Sequence, residues 1–138
     1  MQLTSPRTCL RAVLAACLVM AACEMDAAST KPTFVEVWVG GDDAYTLNLR
    51  DAVEGAFRSS PDFTLSIGKV PSELVVLIPT NVDWKKIHLR ITVFYTVEFK
   101  TPDGRKLGSS TGSCREHALA KCAAQIVKEA RIAARKIH

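Results

Sequence analysis

Two cysteines, Cys114 and Cys122, and His117, three residues after the first of them, are the side chains of this sequence best spaced to do chemistry. Ser113 and Glu116 have capping-box spacing, which would begin a helix there and set Cys114 at its amino terminus. Free backbone amides and the helix dipole at such a terminus depress a thiol pKa. His117 then lies within reach as a base, so the pair fits a cysteine nucleophile. The same cysteines fit a disulfide, if the chain works in an oxidising compartment, or two buried free thiols. Geometry restricts the bridge. With a helix already begun at Ser113, the two residues stand about 12 Å apart along its axis. A disulfide spans no more than about 7 Å between α-carbons. Bridging therefore requires Cys114 to end a strand and residues 115–117 to turn the chain back. All three states stay open at this point.

Other signals are weaker. "GSSTGS" (108–113) resembles an anion cradle ahead of a helix, but it lacks the Gly-Lys-Ser/Thr ending of a phosphate loop, and a glycine- and serine-rich edge strand explains it as well. Asp42 and Asp43 read as a helix cap before they read as a metal or acid pair. His88 and His138 stand alone. The sequence holds no HExxH, GxSxG or CxxC. A hydrolase needs a base, an orienting group and an oxyanion site, and at most one of these is offered. No catalytic residue, metal or cofactor is expected.

The amino terminus gives an address. Ala12 to Ala22 is an apolar run of eleven residues, preceded by Arg7 and Arg11 and followed by the polar "EMDAASTKPT". A spanning helix needs about 20 residues, so the run reads as the core of a secretory signal. "VMAAC" (19–23) closes it. A hydrophobic residue, two small ones and a cysteine resemble the lipobox of bacterial lipoproteins. Membership implies that Cys23 is lipidated and acylated, that residues 1–22 are removed, and that residues 23–33 tether the domain to a membrane. An ordinary signal peptide cut near Ala22 or Ala28 is the alternative. A second match ending at Cys17 leaves too short an apolar run after Arg11. Glu24, where an aspartate would signal retention at the inner membrane, favours the outer membrane within that family. The resemblance implies a periplasmic location.

Composition bounds the remainder. Residues 34–138 suit one domain with one core. Of 18 basic and 14 acidic side chains, the signal removes two basic ones. The near balance that is left is no nucleic-acid footprint. Charge is nevertheless uneven, with acids dominating residues 24–58 and bases dominating 100–138.

The elements that must position these residues follow from periodicity. "FVEVWV" (34–39) reads as a strand buried on both faces, closed by Gly40-Gly41. Asp42 or Asp43 then caps a helix running to Ser59 through Leu47, Val53, Ala56 and Phe57. "DFTLSIGKV" (62–70) and "ELVVLI" (73–78) read as strands. "IHLRITVFYTVEFK" (87–100) alternates throughout and predicts one long strand with a wet face, broken only by Phe94. "TPDG" (101–104) predicts a turn and "RKLGSSTG" (105–112) the returning strand. A last amphipathic helix is predicted over 117–137.

The order β-α-β-β-β-β-α predicts an α+β two-layer sandwich, two helices on one face of a mostly antiparallel sheet of about five strands. In element order and lipoprotein context this is similar to small assembly domains of the bacterial envelope: the lipopolysaccharide-assembly lipoprotein LptE, the amino-terminal domain of TolB and the curli-pore lipoproteins. That resemblance implies a non-catalytic protein that binds or supports an outer-membrane or periplasmic partner. An inhibitor or immunity-type lipoprotein holding one specific protein is an alternative, and an enzyme using Cys114 and His117 is another. Arg115, Lys121, Lys128, Arg131, Arg135 and Lys136 form a basic set on or beside the last helix. It suits an anionic partner, either lipid headgroups, lipopolysaccharide or an acidic protein; a merely solvated face accounts for it equally.

Overall fold

The computed structural model describes residues 31–138, Lys69 excepted, so the expected lipidation at Cys23 and the signal before it lie outside the described residues. Residues Lys31–His138 make one compact unit with a hydrophobic core. Six strands, β1 (Thr33–Val39), β2 (Phe63–Leu65), β3 (Leu74–Ile78), β4 (Asp83–Ile87), β5 (Arg90–Lys100) and β6 (Lys106–Arg115), form one mixed sheet. Two helices, α1 (Ala44–Arg58) and α2 (Leu119–Ala134), complete an α+β sandwich.

β1 pairs in parallel with β2 and β3, while β5 pairs antiparallel with β3, β4 and β6. Because β6 lies along Thr92–Lys100 of β5, β3 and β4 must share its other edge, one after the other. The spatial order is therefore β2, β1, the β3–β4 line, β5, β6.

Both helices cover one face. Leu49, Val53 and Phe57 of α1 and Ala123, Ile126 and Ala130 of α2 are fully buried against Val35, Val76, Val93 and Val97 of the sheet. Each of the larger aliphatic or aromatic side chains contributes about 1.5–3 kcal/mol. The other face carries Phe34, Glu36 and Trp38, Val75 and Leu77, and Thr92 to Lys100 at even positions. The expectation that β1 is buried on both faces is corrected here, since no helix among the described residues covers its Trp38 side and Trp38 stays 46% exposed. No helix among the described residues is long and apolar enough to cross a membrane.

The start of α1 is fixed by a clamp. Asp43 Oδ1 accepts from the Thr46 amide at 2.7 Å, the predicted cap. Thr46, itself fully buried, accepts through Oγ1 from the Val82 amide at 2.9 Å, tying the helix to the link between β3 and β4. That link passes so close that a Cβ on Gly40 would collide with the Pro79 carbonyl. Glycine is required there by space.

Two strand expectations change. The predicted strand over 62–70 shortens to Phe63–Leu65, with the chain leaving the sheet at Ser66. The long strand over 87–100 is a hairpin, because the chain reverses at His88 and Leu89, both at positive φ (48° and 64°). Ile87 belongs to β4, which the sequence reading missed.

Candidate functional site

The chemistry-bearing cluster lies where β6 hands over to α2. β6 continues to Arg115, one 3-10 turn covers Glu116–Ala118, and α2 begins at Leu119. The Ser113/Glu116 capping box does not form, since Ser113 is still paired with Phe94 inside the sheet. The chain thus turns back as the bridge requires. Cys114 and Cys122 are disulfide-bonded with their α-carbons 5.8 Å apart. Cys114 sits opposite Val93 on the core side of β6, and Cys122 is 2% exposed. With its sulfur in that bond, Cys114 has no thiolate to offer, and His117 is exposed beside it without a nucleophile to serve.

"GSSTGS" lies within β6, so its backbone groups belong to a ladder and not to a helix terminus. Gly112 has a steric role: a Cβ there would lie 2.6 Å from the hydroxyl of the buried Tyr95. Near the same end of the molecule, Tyr45 and Trp84 pack at 5.5 Å between ring centroids. Burial first, and then the Glu116 carboxylate, pushes the Tyr45 phenol up. No cluster of three or more metal-ligating side chains occurs among the described residues.

The six basic residues differ in their surroundings. Arg131 donates to Asp62 at 2.7 Å, joining α2 to the residue before β2, and Lys136 donates to the Leu107 carbonyl at 2.9 Å. Those two are structural ties. Lys121, Lys128 and Arg135 remain exposed at seven-residue steps, a spacing that keeps them within about 20° of one another per step and about 10 Å apart. Arg115 is exposed at the end of β6.

Two further surfaces stand out, the first read from the sequence only as the wet face of the strand over 87–100, with Phe94 among Thr92, Thr96 and Arg90, and the second not read at all. The first is the uncovered sheet face, where Trp38 lies level with Leu77 and Glu98, and Glu36 with Val75 and Lys100. Glu98 is held by Lys100 at 2.7 Å and Lys106 at 3.9 Å, and the Lys100 hydrogen bond is the main reason its carboxyl lies below the usual range. Lys85 stands 5.6 Å from the centroid of the Phe94 ring, a cation–π distance, and Phe94 is partly buried. The second surface is the β4–β5 hairpin, in which Trp84 and Ile87 are each 50% exposed and Leu89 is 89% exposed. An Asn-Gly pair would have announced that turn; His88-Leu89 does not.

No protein-family model and no characterised protein sequence matches the chain. Solved structures of like fold include two of one protein. The PelC dodecamer from Paraburkholderia phytofirmans is 14% identical over 71% of this chain and 88% of that one, with a TM-score of 0.55. A point variant of the same PelC dodecamer is 13% identical over 74% and 85%, with a TM-score of 0.52. At these identities the likeness is one of fold.

Proposed function

We propose that this chain is a lipid-anchored envelope protein, held to a bacterial membrane through Cys23, that binds or supports a protein partner in the periplasm and performs no chemistry of its own. The outer membrane is the favoured address, from Glu24. The observation that carries the docking role is the sheet face without helices, with Trp38 half-exposed among Leu77, Glu36 and Glu98. Tryptophan at the centre of a partly apolar, partly charged patch is the composition of an interface hot spot. The disulfide argues in the same direction, because it occupies both cysteines of the described residues, including the one that a nucleophilic mechanism had to draw on.

A photo-activated benzophenone side chain at position 38, with the same group at Ala124 on the outer side of α2 as control, tests the reading in cells. One partner species captured at 38 and absent at 124 supports it. Equal labelling at both positions, or none, contradicts it. A second reading is that the partner is another copy of this chain. It is favoured by the solved structures of like fold, both of which are dodecamers. Native mass of the extracted protein separates the two, since a self-assembly gives multiples of one subunit mass.

A further inference from the structure

We propose that the β4–β5 hairpin is a membrane wedge that enters an anionic lipid surface with Ile87 and Leu89 foremost. β1 ends level with Ile78 and β6 ends level with Thr92, so from Lys86 to Ile91 the hairpin has no neighbour strand and projects from the sheet. Every residue from Asp83 to Arg90 is exposed. The turn puts His88 and Leu89 at φ of 48° and 64°, a region that costs a non-glycine residue about 1–2 kcal/mol. Its second position holds the most exposed large apolar side chain described, Leu89 at 89%. An unfavourable turn thus presents an unfavourably solvated leucine, which is the pattern of strain kept at a functional position.

The residues are ordered by depth. His88 and Leu89 form the tip, Ile87 lies level with its cross-strand partner Arg90 just behind it, Lys86 and Lys85 follow, and Trp84 lies about 10 Å behind Ile87 at 3.3 Å per residue. A bilayer offers the same sequence of environments: acyl chains, anionic headgroups, then the interface where tryptophan concentrates. Long cationic stems can lie along the apolar layer with their charges in the headgroups. None of the three cations has an ion-pair partner among the described residues, and Asp83 is the only acid in residues 83–97. Register decides between a lipid surface and a one-sided protein contact. Lys85 and Arg90 share the uncovered face of the sheet, whereas Lys86, opposite Ile91, points to the other. Cations on both faces suit a medium that surrounds the tip.

This contact does not depend on the proposed anchor, but the two together fix an orientation. Thr33, where the tether enters, lies at the opposite end of the sheet, three residues beyond the level of Lys100 and so about 46 Å from Leu89 at 3.3 Å per residue. The segment from Cys23 to Thr33, fully extended, reaches at most about 36 Å. Both contacts in one bilayer therefore require the strands to tilt away from the membrane normal, with the hairpin still entering tip first.

The test uses the unlipidated chain from residue 24, so that a failed anchor reading leaves it untouched. Sedimentation with vesicles of phosphatidylcholine alone, and of phosphatidylcholine and phosphatidylglycerol in equal parts, reads the partition. Binding is expected to the anionic vesicles only. Leu89→Asp is expected to lower it at least about tenfold, the equivalent of withdrawing one buried leucine. Lys85→Glu with Lys86→Glu should lower it similarly, at about 1 kcal/mol per cation near the surface. A paired variant, His88→Asn with Leu89→Gly, gives the turn the residues it prefers. It should raise thermal stability while binding falls, an opposition that a purely structural hairpin would not show. Equal binding to both vesicle types, no binding, or binding unchanged by Leu89→Asp overturns the proposal. So does loss of binding on changing Lys121, Lys128 and Arg135 to Glu while the hairpin variants bind normally. A benzophenone at position 89 that labels a protein in the envelope instead of lipid overturns it as well, and assigns the hairpin to that protein.

Discussion

Gly40 and Thr46 show how single side chains hold the two layers together. The Gly40 backbone passes against the Pro79 carbonyl, and Thr46 supplies the side-chain acceptor for the buried Val82 amide. Gly40→Ala is expected to lower stability by about 1–3 kcal/mol, read from chemical denaturation, because backbone must move to admit the methyl group. Thr46→Val keeps the volume and removes the acceptor, leaving a buried donor unpaired. A loss of about 1–3 kcal/mol is expected in the same assay. Neither dependence was legible from the sequence. Gly40-Gly41 reads there as a strand end, and Thr46 as an undistinguished residue in the first turn of a helix; both roles come from the distant segment around Pro79 to Val82 that folds onto them.

At the scale of elements, the hand-over from β6 to α2 depends on the Cys114–Cys122 disulfide, which closes a loop with a sequence separation of 8. Chain-entropy arguments assign such a loop about 2.5 kcal/mol. Cys122→Ser should lower the unfolding free energy by about that amount, and the loss should be matched by reducing agent acting on the unmodified chain. The bridge required a strand reaching Cys114 and a turn over the next few residues. The spacing of the cysteines stated that condition without deciding whether it is met, because Ser113 and Glu116 offered a helix start in the same place, so this corner of the fold was legible only in part. The β4–β5 hairpin was not legible. The letters alternate across the turn, Ile87, Leu89 and Ile91 with His88 and Arg90, as in one straight strand. The chain reversal puts Ile87 on the face of Arg90 and Ile91 on the other, a change that the sequence pattern conceals. β4 itself, "DWKKI", is exposed throughout and has no apolar face of its own; it is a strand because β5 supplies its pairing. Edge elements of this kind are set by tertiary context more than by local preference. The helices behaved differently: their buried stripes are long and regular, and the cap at Asp43 lies within one residue of its expected place.

For the whole molecule, charge and pH make a further prediction. Glu98, held mainly by the Lys100 hydrogen bond, and Asp103, held mainly by the Thr101 hydroxyl, both have carboxyls below their ordinary values of 4.5 and 3.8. A group whose folded pKa is depressed adds stability above its unfolded pKa and loses it as pH falls through the folded value. The melting temperature should therefore be nearly flat from pH 7 to about 5 and fall below about 4. Glu98→Gln should make the acid limb shallower, and salt should weaken the effect because these groups face solvent. The division of surfaces belongs to this scale too. One face of the sheet is closed by helices, the other presents Trp38, and the hairpin projects beyond both. The docking and membrane contacts proposed above would then fall on separate parts of one small domain, with the disulfide stabilising the corner between β6 and α2.

The central claim, an anchored protein without thiol chemistry, is tested most directly by one measurement: the intact mass of the protein extracted from its own envelope, alkylated before and after reduction, with the terminal fragment mapped. The expected result is a chain of residues 23–138 carrying acyl groups on Cys23, with Cys114 and Cys122 alkylated only after reduction. An unlipidated chain in which Cys114 is alkylated before reduction would contradict it and return the Cys114 and His117 pair to consideration as a catalytic site.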